Sequence, residues 1–268
     1  MNDDIMSAPR RRHLFALLDR ARPPTSVGSI PQIFLQRTEA TTVNKRFTRT
    51  KLVDLISRVV PSTFFLFVVM LRFADLYALI LRHRLENQPT TWTFIVEVSS
   101  RVSTVGFMFL MTILFFIRLE PVEKAKNLLP RVMAIVGTFL VALLTMFPRA
   151  QLSLAQSLVA TSISIIGTML SIIALAHLGR SFSLMAEARR LVTTGPYRIV
   201  RHPLYLFEEV AAFGILLQFF SAYTAMVFVI HIVIQIQRMK NEEMVLEKAF
   251  PEYQLYKAST ARVIPKLY

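Results

Sequence analysis

The chain has 268 residues, of which 54% are hydrophobic and 18% are charged, and its formal net charge is +14 at pH 7. Soluble proteins contain about 45–50% apolar and about 25% charged residues, so this composition is shifted toward that of a membrane protein. The chain has no Cys, which excludes disulfides, a thiol nucleophile and a cysteine-based metal site. None of its seven Gly residues has the spacing of a dinucleotide-binding or phosphate-binding loop.

Apolar stretches of membrane-spanning length recur along the chain, since a helix needs about 20 apolar residues to cross the bilayer. Four single spans are predicted, at Val59 to Leu81, Thr93 to Ile117, Val132 to Phe147 and Ser153 to Ala176. A fifth stretch, Leu204 to Gln237, is too long for one pass, because a helix of that length would measure about 50 Å. We therefore expect two short helices that form a tight hairpin turning near Ser221 to Tyr223.

The positive charges alternate between the segments that separate these spans. Lys and Arg residues number 11, 2, 4, 1, 5, 0 and 6 in successive segments. The positive-inside rule then predicts six passes with both termini cytoplasmic, in a bacterial inner membrane or the endoplasmic reticulum. The net charge is explained by loops that flank anionic lipid, so the bilayer is an expected partner and nucleic acid is not.

The predicted fold class is all-α, a polytopic transmembrane helical bundle of about six passes. Three regions are expected along the chain. Residues 1–57 form a basic, partly flexible, cytoplasmic or interfacial segment, and residues 58–177 form transmembrane helices 1 to 4. Residues 178–268 supply a loop, the helical hairpin and a cytoplasmic tail, which together would build a cofactor pocket. No histidine spacing suggests a metal site, and the oligomeric state is left open.

Two charged couples lie inside the predicted spans. Arg72 and Asp75 are three residues apart and Glu97 and Arg101 are four apart, so each couple shares one helix face. Charges in a bilayer normally face a bundle interior or a cavity. Neutralised pairs that fix helix packing are the favoured interpretation, and lining of a substrate cavity is the alternative.

The run from Arg189 to Tyr205 has features of a binding loop. Its segment Thr194 to Tyr197 is typical of a tight turn, and Pro203 suits the first position of the following helix. Beyond the hairpin, Arg238 and Glu242 share a helix face and return to the same membrane edge. This arrangement would let a soluble cofactor meet a lipid-borne substrate, although a basic loop can also be a topology signal alone and the two charged residues a surface ion pair.

The ordered combination of these motifs resembles a known family. The run LVTTGPYRIVRHPLY from Leu191 to Tyr205 is followed by an apolar hairpin, Glu242-Glu243 and the segment Phe250 to Tyr256. This pattern is similar to that of the isoprenylcysteine carboxyl methyltransferase family, and related phospholipid methyltransferases share much of it. The resemblance extends from about Leu178 to Pro265, roughly a third of the chain.

The resemblance implies a membrane enzyme that uses S-adenosylmethionine without a Rossmann domain. The cofactor residues that it implies are Arg189, Arg190, Leu191, Val192, Tyr197, His202, Pro203, Leu204, Tyr205 and Glu242. It assigns Arg238 to the carboxylate of the substrate. The chain departs from the common pattern at Arg189, often His, at Phe207, often Gly, and at Pro251, usually Gly.

The predicted reaction is carboxyl O-methylation of an isoprenylcysteine-like or other lipid carboxylate. A carboxylate is already ionised at pH 7 and needs no general base, and an arginine can hold it through two parallel hydrogen bonds. Three alternatives are left open: a phospholipid (ethanolamine) N-methyltransferase, an NADPH-dependent sterol-type reductase and a non-catalytic membrane scaffold. The reductases typically have Asn at the position of Leu204.

Overall fold

The computed structural model describes the backbone of residues 32–265 and the side chains of residues 55–265, so most of the predicted basic segment 1–57 lies outside the described residues. The helices are α1 (Gln32–Leu85), α2 (Trp92–Ile117), α3 (Leu128–Leu144), α4 (Leu154–Leu178), α5 (Pro203–Gln218), α6 (Ala222–Ala249) and α7 (Tyr253–Ser259). Two short strands, β1 (Glu123–Lys124) and β2 (Glu187–Ala188), and two 3₁₀ turns, Gly179–Ser181 and Gly195–Arg198, lie between them.

The predicted all-α polytopic bundle is confirmed, and the chain is an integral membrane protein. Four described helical segments are long and apolar enough to cross a membrane: Leu55–Leu85, Trp92–Ile117, Leu154–Ser181 and Ala222–Ala249. Helices α3 and α5 are shorter, with 17 and 16 residues. The hairpin turns where it was predicted, because Ser221 caps α6 by accepting a hydrogen bond from the backbone N–H of Thr224. The prediction of two short helices is right for α5 and wrong for α6, which has 28 residues and continues beyond Gln237 to Ala249.

Backbone and side-chain hydrogen bonds show which helix ends lie at the same face of the bundle. Strand β1 follows α2 and pairs antiparallel with β2, which follows α4. Arg118, just beyond α2, donates a hydrogen bond to the carbonyl of Ser57 in α1. At the opposite face, the N–H of Ala150 donates to the carbonyl of Gln218 at the hairpin tip. The segments rich in Lys and Arg therefore share one face, as an up-and-down order of spans requires.

Small residues bring α4 and α5 into close contact. A Cβ atom added to Gly167 would lie 2.3 Å from the backbone N of Ala211, and one added to Gly214 would lie 2.4 Å from Oγ of Ser164. The Ser164 hydroxyl also donates a hydrogen bond to the carbonyl of Ala211. Helices in lipid associate through such close packing, because apolar burial alone gives little driving force there. This contact positions the loop that joins the two helices.

Of the two predicted intramembrane pairs, Glu97 with Arg101 is confirmed, whereas Asp75 pairs with Arg101 and not with Arg72. Arg101 forms ion pairs with Asp75 of α1, at 2.9 Å, and with Glu97 of its own helix, at 3.1 Å. Arg72 has no ion pair among residues 55–265. Sharing a helix face does not decide which side chains meet, and the long side chain of Arg101 reaches across to α1. The interpretation that these charges fix helix packing fits three of the four residues.

We expect Gly167→Ala to destabilise the bundle, because the new methyl group would collide with the backbone of α5. Overpacking of this kind costs about 1–3 kcal/mol. Gly106→Ala in α2 is the matched control. A Cβ atom added there would lie 3.8 Å from its nearest neighbour, Cδ1 of Ile172, which is an ordinary van der Waals contact. Thermal unfolding of both variants in the same detergent would compare them. Equal losses of thermal stability would contradict close α4–α5 packing.

Candidate functional site

Three separate parts of the chain line a cavity that is partly open to solvent. They are the loop between α4 and α5, the last turns of α6, and the segment around α7. Seven of the ten predicted cofactor residues line the cavity: Arg189, Arg190, Leu191, Val192, Tyr197, His202 and Glu242. The sequence analysis did not foresee its lining residues Ser181, Leu246, Tyr253 and Tyr256.

The other three predicted cofactor residues do not line this cavity. Pro203 is the first residue of α5 and is buried, and Leu204 packs in the apolar core beside Phe115 and Leu175. Tyr205 lines a second cavity. The reason is the helix geometry, because consecutive residues of α5 point about 100° apart and cannot all face one space.

The buried carboxylate of Glu243 holds the cavity walls together. Its side chain is only 4% exposed, and its Oε1 lies 3.0 Å from Nε of Arg201 and 3.1 Å from Nε2 of His202. Its Oε2 accepts a hydrogen bond of 2.8 Å from Arg262 in the tail. The sequence analysis noted Glu243 but assigned it no role. It connects α6, the loop and the tail at one point.

The tail is fixed to the loop by further hydrogen bonds. The backbone N–H of Arg201 donates to the carbonyl of Ala261, and the hydroxyl of Tyr256 donates to the carbonyl of Tyr197. Tyr253 at the start of α7 is fully buried. These contacts make two tail tyrosines part of the cavity wall, so the site is incomplete without the tail.

Several polar atoms in the cavity wall are buried without a hydrogen-bond partner in the described part of the chain. They are Oγ of Ser181, Nε and Nη1 of Arg189, and the hydroxyls of Tyr197 and Tyr253. Arg189 uses only Nη2, which donates to Glu187. Buried polar groups in folded proteins are nearly always hydrogen-bonded. The cavity is therefore built for a polar ligand.

Burial also shifts the ionisation of these side chains. Burial raises the pKa of the Tyr197 phenol well above its ordinary value, and the nearby Glu242 carboxylate adds to the shift. Burial likewise raises the pKa of Tyr253, and that of Tyr256 to about 12. These phenols consequently stay neutral hydrogen-bond donors at physiological pH. Burial lowers the pKa of the Arg189 guanidinium, which Glu187 partly offsets, and an arginine remains cationic in proteins.

A second, smaller cavity adjoins the first between α3, α5 and α6. Glu242 lines both cavities, and its carboxylate accepts a hydrogen bond of 3.1 Å from the hydroxyl of Tyr205. Arg238 and Asn241 also line the smaller cavity. The structure thus places Arg238, Tyr205 and Glu242 together, as predicted, with Glu242 at the junction.

Arg238 is buried in a setting of uncharged partners. Its Nη1 donates a hydrogen bond of 2.6 Å to Oε1 of Gln235, and its Nη2 lies 3.4 Å from the carbonyl of Leu184. The guanidinium lies 5.3 Å from the ring centroid of Tyr205, and Gly137 of α3 leaves room for it, because a Cβ there would lie 2.7 Å from Cδ of Arg238. Arg238 forms no ion pair within residues 55–265. The cavity therefore presents a fixed cation that an anionic ligand would complete.

The polar residues of α6 follow a pattern that the sequence analysis used only in part. His231, Gln235, Arg238 and Glu242 are spaced by four, three and four residues, so they lie on one face of the helix. The first three are buried. Polar residues at this spacing in an apolar helix indicate a functional face. This spacing would have identified Gln235 and His231 from the sequence.

Comparison with known proteins supports the resemblance noted from the loop motif. Residues 159–248 match the model of the isoprenylcysteine carboxyl methyltransferase (ICMT) family. The matched segment is about a third of the chain and includes the loop, the hairpin, Arg238 and Glu242. No curated protein matches the chain. The family match confirms the resemblance and supports a membrane methyltransferase of this type.

We expect Glu243→Ala to detach the tail from the loop, because it leaves Arg201 and Arg262 without their buried carboxylate. Removing one partner of a buried charge network costs about 3–5 kcal/mol. Glu247→Ala is the control, since Glu247 pairs with the half-exposed Lys257 and such surface pairs contribute under about 1 kcal/mol.

Limited proteolysis and thermal unfolding in detergent would measure both effects. Faster cleavage after Glu243→Ala than after Glu247→Ala is the expected result. The same protease resistance in the two variants would show that Glu243 does not anchor the tail.

Proposed function

We propose that this membrane protein is a member of the ICMT family that transfers a methyl group from S-adenosylmethionine to the carboxylate of a lipophilic substrate. The observation that carries the proposal is the pair of adjoining cavities. One has a wall of unpartnered polar atoms, and the other contains Arg238 without an ion pair. Glu242 lies where the two meet.

The lining of the larger cavity suits S-adenosylmethionine in charge and in chemical character, because polar, aromatic and apolar side chains all contribute to it. The unpartnered nitrogens of Arg189 would bind the carboxylate of the cofactor, and Glu242 would complement its positive charges. Apolar and aromatic side chains, among them Leu191, Val192 and Tyr197, would pack against the adenosine.

The bound cofactor supplies an electrophilic methyl group, whose sulfur–carbon bond breaks as the bond to the carboxylate oxygen forms, leaving a neutral thioether and a neutral ester. Arg238 would hold the substrate carboxylate and orient it toward the junction at Glu242. Gln235 and the ring of Tyr205 keep the guanidinium in one position. Preorganisation of this kind lowers the barrier, because the reacting groups are aligned before the reaction.

We further propose that the face carrying the two cavities is cytoplasmic, as are both termini. The Lys- and Arg-rich connections lie at this face, as the positive-inside rule requires of cytoplasmic loops. A C-terminal tag should bind its antibody only after the cells are permeabilised. Labelling of the tag on intact cells would reverse the proposed orientation.

We expect Arg238→Leu to keep cofactor binding and to lose methyl transfer. A loss of about 100-fold in kcat/KM for a carboxylate acceptor corresponds to about 2.7 kcal/mol of transition-state stabilisation. Titration calorimetry with S-adenosylmethionine and methyl transfer to N-acetyl-S-farnesylcysteine, both in lipid nanodiscs, would separate binding from turnover. Arg149→Leu is the matched control, because Arg149 lies at the opposite face beside Phe219.

We expect Glu242→Gln to lose cofactor binding itself, because the amide removes the negative charge that faces both cavities. The hydrogen bond from Tyr205 can still be accepted by the amide oxygen, so the change mainly tests charge. Undiminished S-adenosylmethionine binding by this variant would contradict the assigned role. Binding of NADPH instead of S-adenosylmethionine by the unmodified protein would contradict the proposed function.

A further inference from the structure

Asn241, which lies between Arg238 and Glu242 on α6, lines the smaller cavity and has no role in the function proposed above. It follows Arg238 by three residues, so the two side chains are neighbours on one face of the helix. Asn241 is only 5% exposed. Burying an amide costs free energy unless its polar groups are hydrogen-bonded, so the partners of Asn241 indicate what it does.

The two ends of the Asn241 amide have unequal partners. Its Oδ1 accepts a hydrogen bond of 3.2 Å from Nε2 of Gln237, one helical turn earlier. Its Nδ2 lies 3.9 Å from Sδ of Met133 in α3, and a thioether sulfur is a weak acceptor. The amide nitrogen therefore has no strong acceptor among residues 55–265. The side chain is held by its oxygen, and its donor end is left for a ligand in the cavity.

The guanidinium of Arg238 also has an unused donor. Its Nη1 and Nη2 each donate to a protein acceptor, Gln235 and the carbonyl of Leu184. Its Nε is buried and has no hydrogen-bond partner in the described part of the chain. Two neighbouring residues of α6 that line the smaller cavity thus each have a nitrogen donor without a strong acceptor.

We infer that Arg238 and Asn241 together bind the carboxylate of the acceptor, with the amide nitrogen of Asn241 as the second donor. This inference rests on the proposed carboxyl methyltransferase function and adds a specificity-determining residue to it. An ionised carboxylate only accepts hydrogen bonds and has two oxygens, so it uses both donors at once. A primary amide in the same place would bring N–H groups of its own against these donors, so the pair selects a carboxylate.

A second donor also orients the carboxylate for the reaction. One hydrogen bond leaves the group free to rotate about that bond, whereas two donors fix its plane, and alignment of this kind speeds the reaction. Each carboxylate oxygen has two lone pairs, so an oxygen that accepts one hydrogen bond keeps a lone pair for the methyl group. A neutral amide provides this donor without forming an ion pair with the adjacent Glu242.

A matched pair of ligands tests the inference on the full-length protein in nanodiscs. They are N-acetyl-S-farnesylcysteine, which has the carboxylate, and its primary carboxamide, which is neutral and has N–H donors in the same place. Titration calorimetry in the presence of S-adenosylhomocysteine measures both dissociation constants without methyl transfer. We expect the unmodified protein to bind the carboxylate at least about tenfold more tightly, a difference of about 1.4 kcal/mol.

Asn241→Asp replaces the donor by a negatively charged acceptor of the same shape, and the hydrogen bond from Gln237 can still be accepted. The ratio of the two dissociation constants should shift toward the carboxamide by at least about tenfold. Asn127→Asp is the matched control, because Asn127 is exposed at the start of α3 and lines neither cavity. It makes the same chemical change and should keep the ratio of the unmodified protein.

Asn241→Leu removes the donor without adding a charge. We expect kcat/KM for N-acetyl-S-farnesylcysteine to fall about tenfold, a change of about 1.4 kcal/mol. The dissociation constant of S-adenosylmethionine and the unfolding temperature should stay those of the unmodified protein, because Asn241 does not line the larger cavity.

The outcomes distinguish this inference from the proposed function. An unchanged ratio in Asn241→Asp, or an equal shift in Asn127→Asp, would overturn the role of Asn241 and leave carboxyl methylation intact. Loss of S-adenosylmethionine binding in both Asn241 variants would also overturn it, because the residue would then support the fold or the larger cavity. No transfer to the carboxylate by the unmodified protein with S-adenosylmethionine bound would overturn the proposed function itself.

Discussion

The site depends on one buried carboxylate, that of Glu243. A charge in this position is tolerated only because Arg201, His202 and Arg262 surround it. The three partners belong to the loop and to the tail. Their shared ionic contact with α6 determines where both segments lie. The larger cavity is the space that remains between them.

The second constraint is the burial of charged side chains at the membrane edge. Arg189 is buried with two unpartnered nitrogens, and Arg238 is buried among neutral groups. Electrostatic interactions are stronger in such surroundings than in water, because the local dielectric constant is low. Fixed charges of this kind can bind and orient ionic ligands without rearrangement. Glu242, between them, lines both cavities.

Much of the fold was predictable because its signals are local. Three of the four predicted single spans coincide with long apolar helices, the predicted third span is the shorter α3, and Ser221 marks the hairpin turn with a capping pattern. Seven of ten expected cofactor residues line the larger cavity, since a loop motif keeps its residues together. The three exceptions lie at the start of α5, where the turn of the helix buries Pro203 and Leu204 and directs Tyr205 to the second cavity.

By itself the sequence determined the membrane-spanning class, the order of spans, the charged face and the residues around the loop. These properties depend on composition and on spacing within one segment. Only the tertiary structure decided that Asp75 pairs with Arg101, and that Glu243 anchors the tail while its neighbour Glu242 lines the cavities. The physical reason is that the rotation and approach of packed helices set these contacts, and both depend on residues far apart in the chain.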